Sequence, residues 1–100
     1  MLENMIKVEE VKEKEINMEY LEEIFNCAIA SDLNYVAVAV KIDDQAEAEI
    51  IINTRANFES KLEYYKNTYN ADLVHKYSPN IKIVSVTTAN EIQTLVFNLL

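Results

Sequence analysis

The stretch MIKVEEVK, residues 5–12, decides the fold. Apolar and polar side chains alternate along it only in part, which reads as a strand, with a short helix as the competing reading. A strand here opens the succession β-α-β-β-α-β. A helix leaves a three-stranded sheet and breaks that succession.

The segments that follow are more regular. Residues 17–33 carry Leu21, Ile24, Phe25, Ala28 and Ile29 at helical spacing, with Cys27 at the edge of that apolar face. Asn17 is placed to cap the helix, and Glu19, Glu22 and Glu23 lie near the positive end of its dipole. Ile16 and Leu21 occupy the two positions of a hydrophobic staple. No glycine is available to stop the helix, so Asn34 is the expected left-handed residue.

YVAVAVKI, residues 35–42, alternates strictly, with Val36, Val38, Val40 and Ile42 on one face and Tyr35, Ala37, Ala39 and Lys41 on the other. A polar loop, DDQAE, separates it from EIIIN (49–53), a second strand too apolar for an edge, and the two make a hairpin. Residues 54–70 return to helical spacing, with Phe58, Leu62, Tyr65 and Tyr69 in a narrow stripe. Asn53 or Thr54 can cap that helix, and Asn70 suits its exit. A loop through Ser78, Pro79 and Asn80 leads to the strand IKIVSV (81–86). Thr88 and Glu91 then match a capping box opening a short C-terminal helix, with Ile92, Leu95, Val96 and Leu99 on one side. The expected architecture is a single α+β domain over residues 1–100: a ferredoxin-like sheet with helices on one face plus the short C-terminal helix.

Composition narrows the function. Half of the residues are apolar and they are spread along the chain, so a core can form without covalent staples. No apolar run approaches the roughly 20 residues of a membrane-spanning helix, and the first residues lack the shape of a signal peptide; a cytoplasmic protein without membrane contact is expected. One cysteine, Cys27, and one histidine, His75, are too few for an internal disulfide or a zinc site of these ligands. Glycine is absent, where an average chain of this length has about seven. That excludes glycine-rich phosphate loops, the nucleophile elbow and the EF-hand loop, all of which need positive φ or close backbone approach. No cofactor, metal or catalytic residue is expected. The net charge is −8, with nine acidic and three basic residues in the first 33 positions. Such a field repels a phosphate backbone, so direct nucleic-acid binding is not expected either.

Two blocks, YVAVAV and then AEIIINTRANFESKLEYYKNTYNADLVHK with IKIV, resemble small uncharacterised proteins encoded by phages and prophages of AT-rich bacteria, over roughly residues 34–84. Eight lysines to one arginine, with eleven asparagines and eleven isoleucines, fit such a genome. The relatives have Asn-Pro-Arg at the strand-to-helix junction where this chain has Asn53-Thr54-Arg55. Proline favours the first helical position, so the resemblance implies that Asn53 is the cap and Arg55 lies in the first turn. It implies no activity.

Few side chains invite a chemical reading. Arg55, beside the free N–H groups of a helix start, could contact an anion; against this stands a surface pair with Glu59 at i+4. Tyr64, Tyr65 and Tyr69 with Lys61 and Lys66 could stack bases, yet Tyr65 and Tyr69 share the core stripe. Tyr64 points away from it and is a candidate protein contact. Asp43, Asp44, Glu47 and Glu49 read as a solvated hairpin tip, Cys27 as a partly buried thiol and His75 as a surface residue. Phe97 faces away from the apolar side of the terminal helix and, with Leu100, calls for a second cover by a partner or by a second copy. The leading expectation is a non-enzymatic phage or prophage accessory protein that acts through protein contacts, as a dimer or with another chain. The alternatives are an acidic nucleic-acid mimic that inhibits a DNA-binding enzyme, through Glu9, Glu13, Glu19 and Glu23, and a small ligand-binding or enzyme domain using Arg55 with a tyrosine hydroxyl.

Overall fold

A computed structural model of the chain describes residues 4–9, 15–43 and 47–91, the first of these segments by its backbone alone. The succession is β1 (Asn4–Glu9), α1 (Met18–Ala30), β2 (Tyr35–Ile42), β3 (Glu47–Thr54), a 3-10 turn (Arg55–Asn57), α2 (Phe58–Thr68) and β4 (Ile81–Ala89). Residues 5–9 of the deciding stretch are thus extended, within a strand antiparallel to β3 that sets Ile6 opposite Ile50, and residues 10–12 lie outside the described residues. This is an α+β domain with one four-stranded antiparallel sheet.

The strand order is β1-β3-β2-β4. A ferredoxin-like sheet sets the last strand beside the first; here β4 pairs with β2, from Tyr35 opposite Ala89 to Ile42 opposite Ile81. Among the described residues the element order β-α-β-β-α-β is as expected, and the ferredoxin-like strand order is not. A register shift at Ala39 and Val40 leaves Val84 as an extra residue in β4, which bends that strand.

Valine and alanine alternate in β2 because the sheet is buried on both faces. Val36, Val38 and Val40 join Leu21, Phe25 and Ala28 of α1, Phe58 and Tyr65 of α2, and Leu73 and Ile83 in the larger core. Phe25 is its centre, edge-on to Phe58 at 6.0 Å and tilted against Tyr65 at 5.9 Å. Each such side chain contributes about 1.5–3 kcal/mol by leaving water. On the opposite face Ala37, Ala39, Ala48, Ile50, Ile52 and Val84 form a second buried cluster that contains no residue of α1 or α2. Both described helices therefore lie on one face.

Local signals explain most boundaries. Asn17 caps α1, its Oδ1 accepting the Tyr20 N–H at 2.9 Å, and Ile16 packs on the core that buries Leu21. The helix ends one turn earlier than expected, and Asp32, not Asn34, takes the left-handed conformation at φ 59°. Asp43 and Leu73 are also left-handed, at φ 54° and 64°. Asn70 accepts the N–H groups of Asp72 and Val74 at 2.9 and 3.1 Å, so it shapes the turn after α2 from its side chain. β4 extends to Ala89, so Thr88 pairs with Val36 inside a strand and does not cap a helix. β-branched Thr87 and Thr88 suit a strand, and β2 offers partners as far as Tyr35. Ile92, Leu95, Val96, Phe97, Leu99 and Leu100, with the terminal helix expected there, lie outside the described residues.

Candidate functional site

Arg55 sits where β3 turns into the 3-10 turn, and its guanidinium faces back towards the connection from α1 to β2. Nη2 donates to the Asp32 carbonyl at 2.7 Å and to Asn34 Oδ1 at 2.8 Å, Nε to the Leu33 carbonyl at 3.4 Å, and Nη1 meets the Asp32 carboxylate at 3.1 Å. Its own N–H donates to the Asn34 carbonyl. Asn34 in turn exchanges two 3.2 Å hydrogen bonds with Asn90 at the end of β4. The ion pair expected with Glu59 is made with Asp32 instead. The fork is thus directed at protein carbonyls and a carboxylate, the geometry of a clamp on the α1–β2 connection. A hollow of about 220 Å³ beside it is lined by Asp32, Glu59, Phe58 and Ile29, and by no tyrosine.

Asn53 does not cap α2. It is buried beneath that helix, donating to the Val36 carbonyl at 3.2 Å and more weakly to Tyr65 Oη at 3.5 Å, while its Oδ1 lies buried without a partner. The α2 cap position falls to Asn57, whose amide reaches Thr54 Oγ1 at 3.2 Å. Tyr65 and Tyr69 are core residues, and burial, aided by the nearby Tyr64 phenol, pushes the Tyr69 hydroxyl up to about 12. The aliphatic stem of Lys61 is buried with them, its Nζ 4.7 Å from the Tyr64 ring centre. That leaves Tyr64 46% exposed and against Tyr65, as its place off the stripe implies.

Other candidates are dispersed. Cys27 is exposed on α1, against the partly buried position expected. His75 stacks edge-on with Tyr69 and Tyr77, accepting the Tyr77 N–H at Nδ1. Asp43 and Glu47 are exposed at the hairpin, and Asp44 is outside the described residues. Among the described residues no group of three His, Cys, Asp or Glu side chains could hold a metal ion, and no helix is long and apolar enough to cross a membrane. Glu19 and Glu23 are exposed; the Glu9 and Glu13 side chains are outside the described residues.

A concavity among the described residues was not foreseen from the sequence. Glu22 of α1 meets Lys66 of α2 at 2.8 Å, while Ile29 lies beside Glu59, so the two helices run antiparallel. Between them runs a groove of about 520 Å³, bordered by Asn26 and Ile29 of α1 and by Glu59, Leu62, Glu63 and Lys66 of α2. Ile29 is 41% exposed there. At about 100° per residue, Leu21, Phe25 and Ala28 point within 60° of one another, and Ile29 lies at the flank of that arc. Angular position was the available signal. Tyr77, 80% exposed in the loop before β4, had none.

Comparison with known protein families, with curated proteins and with solved structures finds no match.

Proposed function

We propose that this protein is a non-enzymatic accessory component, of phage or prophage origin as the resemblance over residues 34–84 implies, that works by contacting another protein through its two-helix layer. The observation that carries this reading is the groove between α1 and α2, with Ile29 partly open to solvent within it and Leu62 beside it. An apolar side chain held open in a concave seam gains by burial against a partner. Tyr64, also exposed on α2, lies round the helix from Leu62 and does not border the groove. The ligand-binding alternative draws no support from Arg55, whose donors are engaged by the α1–β2 connection.

Sedimentation in extract of the native host tests the reading. The protein should travel in an assembly heavier than its 11.5 kDa chain, and Ile29→Asp should return it to the free species. Migration of the natural protein as a free chain would overturn the proposal.

A further inference from the structure

Resting on that reading of the helical layer, we infer that the groove between α1 and α2 takes a basic amphipathic helical segment of another protein. Its apolar part is Ile29 and Leu62, one from each helix. Glu59 and Glu63 border it one turn apart on α2. The cation that borders it, Lys66, is matched by Glu22 at 2.8 Å, so the groove retains the two charges of Glu59 and Glu63. At the Ile29 end α1 terminates at Ala30, with no basic residue in its last turn, so the negative end of its dipole adds to the same field. Nearby Arg55 is held by Asp32.

This combination selects the occupant. An apolar stripe supplies affinity and a carboxylate border selects lysine or arginine. The α2 stripe from Glu59 to Lys66 spans about 10 Å, room for two to three turns of a docked helix with apolar anchors at i and i+3 or i+4. A second copy of this chain fits poorly. A two-fold contact through the groove would set Glu59 and Glu63 of one copy against those of the other.

The test is an NMR titration of the full chain with three helical peptides of about 15 residues, long enough to span the groove. One carries leucine on one face and lysine on the other, one keeps the leucines and replaces lysine by glutamate, and one keeps the lysines and replaces leucine by serine. The leucine–lysine peptide should bind about tenfold or more tighter than either control, a 1.4 kcal/mol difference. It should shift the amides of residues 26–30 and 59–67. Glu59→Lys/Glu63→Lys should weaken it about tenfold and favour the leucine–glutamate peptide instead. Both glutamates are exposed, and Ile29→Asp serves as a second variant if the pair impairs folding. Equal binding of the serine peptide, or shifts confined to other surfaces, overturns the inference. Preference of the natural protein for the glutamate peptide at the groove also overturns it, leaving the contact-surface reading intact. A heavier assembly in native extract with no peptide in the groove does the same, whereas a free chain in extract removes both.

Discussion

Towards the helices, β2 presents Val36, Val38 and Val40 to Leu21, Phe25, Phe58 and Tyr65; on its other face it presents Ala37 and Ala39 to Ala48, Ile50, Ile52 and Val84. Both faces are shielded from water, but their building blocks differ. The helix side is filled by large side chains interlocked ring against ring. The opposite side is built of smaller side chains, four of its members being alanine once Ala89 is counted. A strand that alternates two sizes of apolar residue thus specifies two kinds of packing as well as two buried faces.

The contrast can be broken by substitution. Phe25→Ala should have the largest effect, about 3–5 kcal/mol in urea unfolding, because it empties the point where Phe58 and Tyr65 meet. A loss below 1 kcal/mol would show that the helix side is not held by its interlocked rings. On the alanine side overpacking is the sensitive probe: Ala39→Leu should cost about 1–3 kcal/mol, and a neutral outcome would mean that the alanine face has room to spare.

Titration sharpens the comparison, since among the described residues the second cluster has no buried ionisable member. Tyr69 in the larger core ionises only near 12, whereas an unfolded phenol ionises near 10. The resulting stability is whole below pH 10, falls as pH rises from 10 towards 12, then levels off. The loss should be at most about 3 kcal/mol, and Tyr69→Phe should flatten that slope in alkaline unfolding curves. The smallest effect is expected at Arg55, which lies outside both cores. Arg55→Ala should cost about 1 kcal/mol, because its fork is half exposed, and Arg55→Lys should recover little of it. A loss near zero would show that the α1–β2 connection holds without the clamp.

The sequence was informative where period and chemistry agreed. The strict alternation of YVAVAVKI placed β2 at its observed bounds, and Asn17 marked the start of α1 through the side-chain bond that it makes. It was less so where one residue could serve two purposes. Asn53 reads as a cap because asparagine caps helices, yet its Nδ2 donates to a β2 carbonyl, a partner 17 positions away. Thr88 and Glu91 have capping-box spacing, but pairing with β2 outweighs a local cap. Arg55 has Glu59 at the right helical distance and prefers Asp32, brought near by the end of α1. The groove was hidden because it depends on how two helices are set side by side. The strand order was hidden likewise, since hydrophobic pattern does not say which edge β4 joins.

Asp43 stands in a left-handed conformation that glycine adopts without steric cost. Aspartate and glycine codons differ by a single base, so this substitution is within one mutational step, and Asp32 offers another. At Asp43 glycine would relieve the positive φ and remove one acidic side chain from the hairpin tip, whereas at Asp32 it would also remove the carboxylate that meets Arg55.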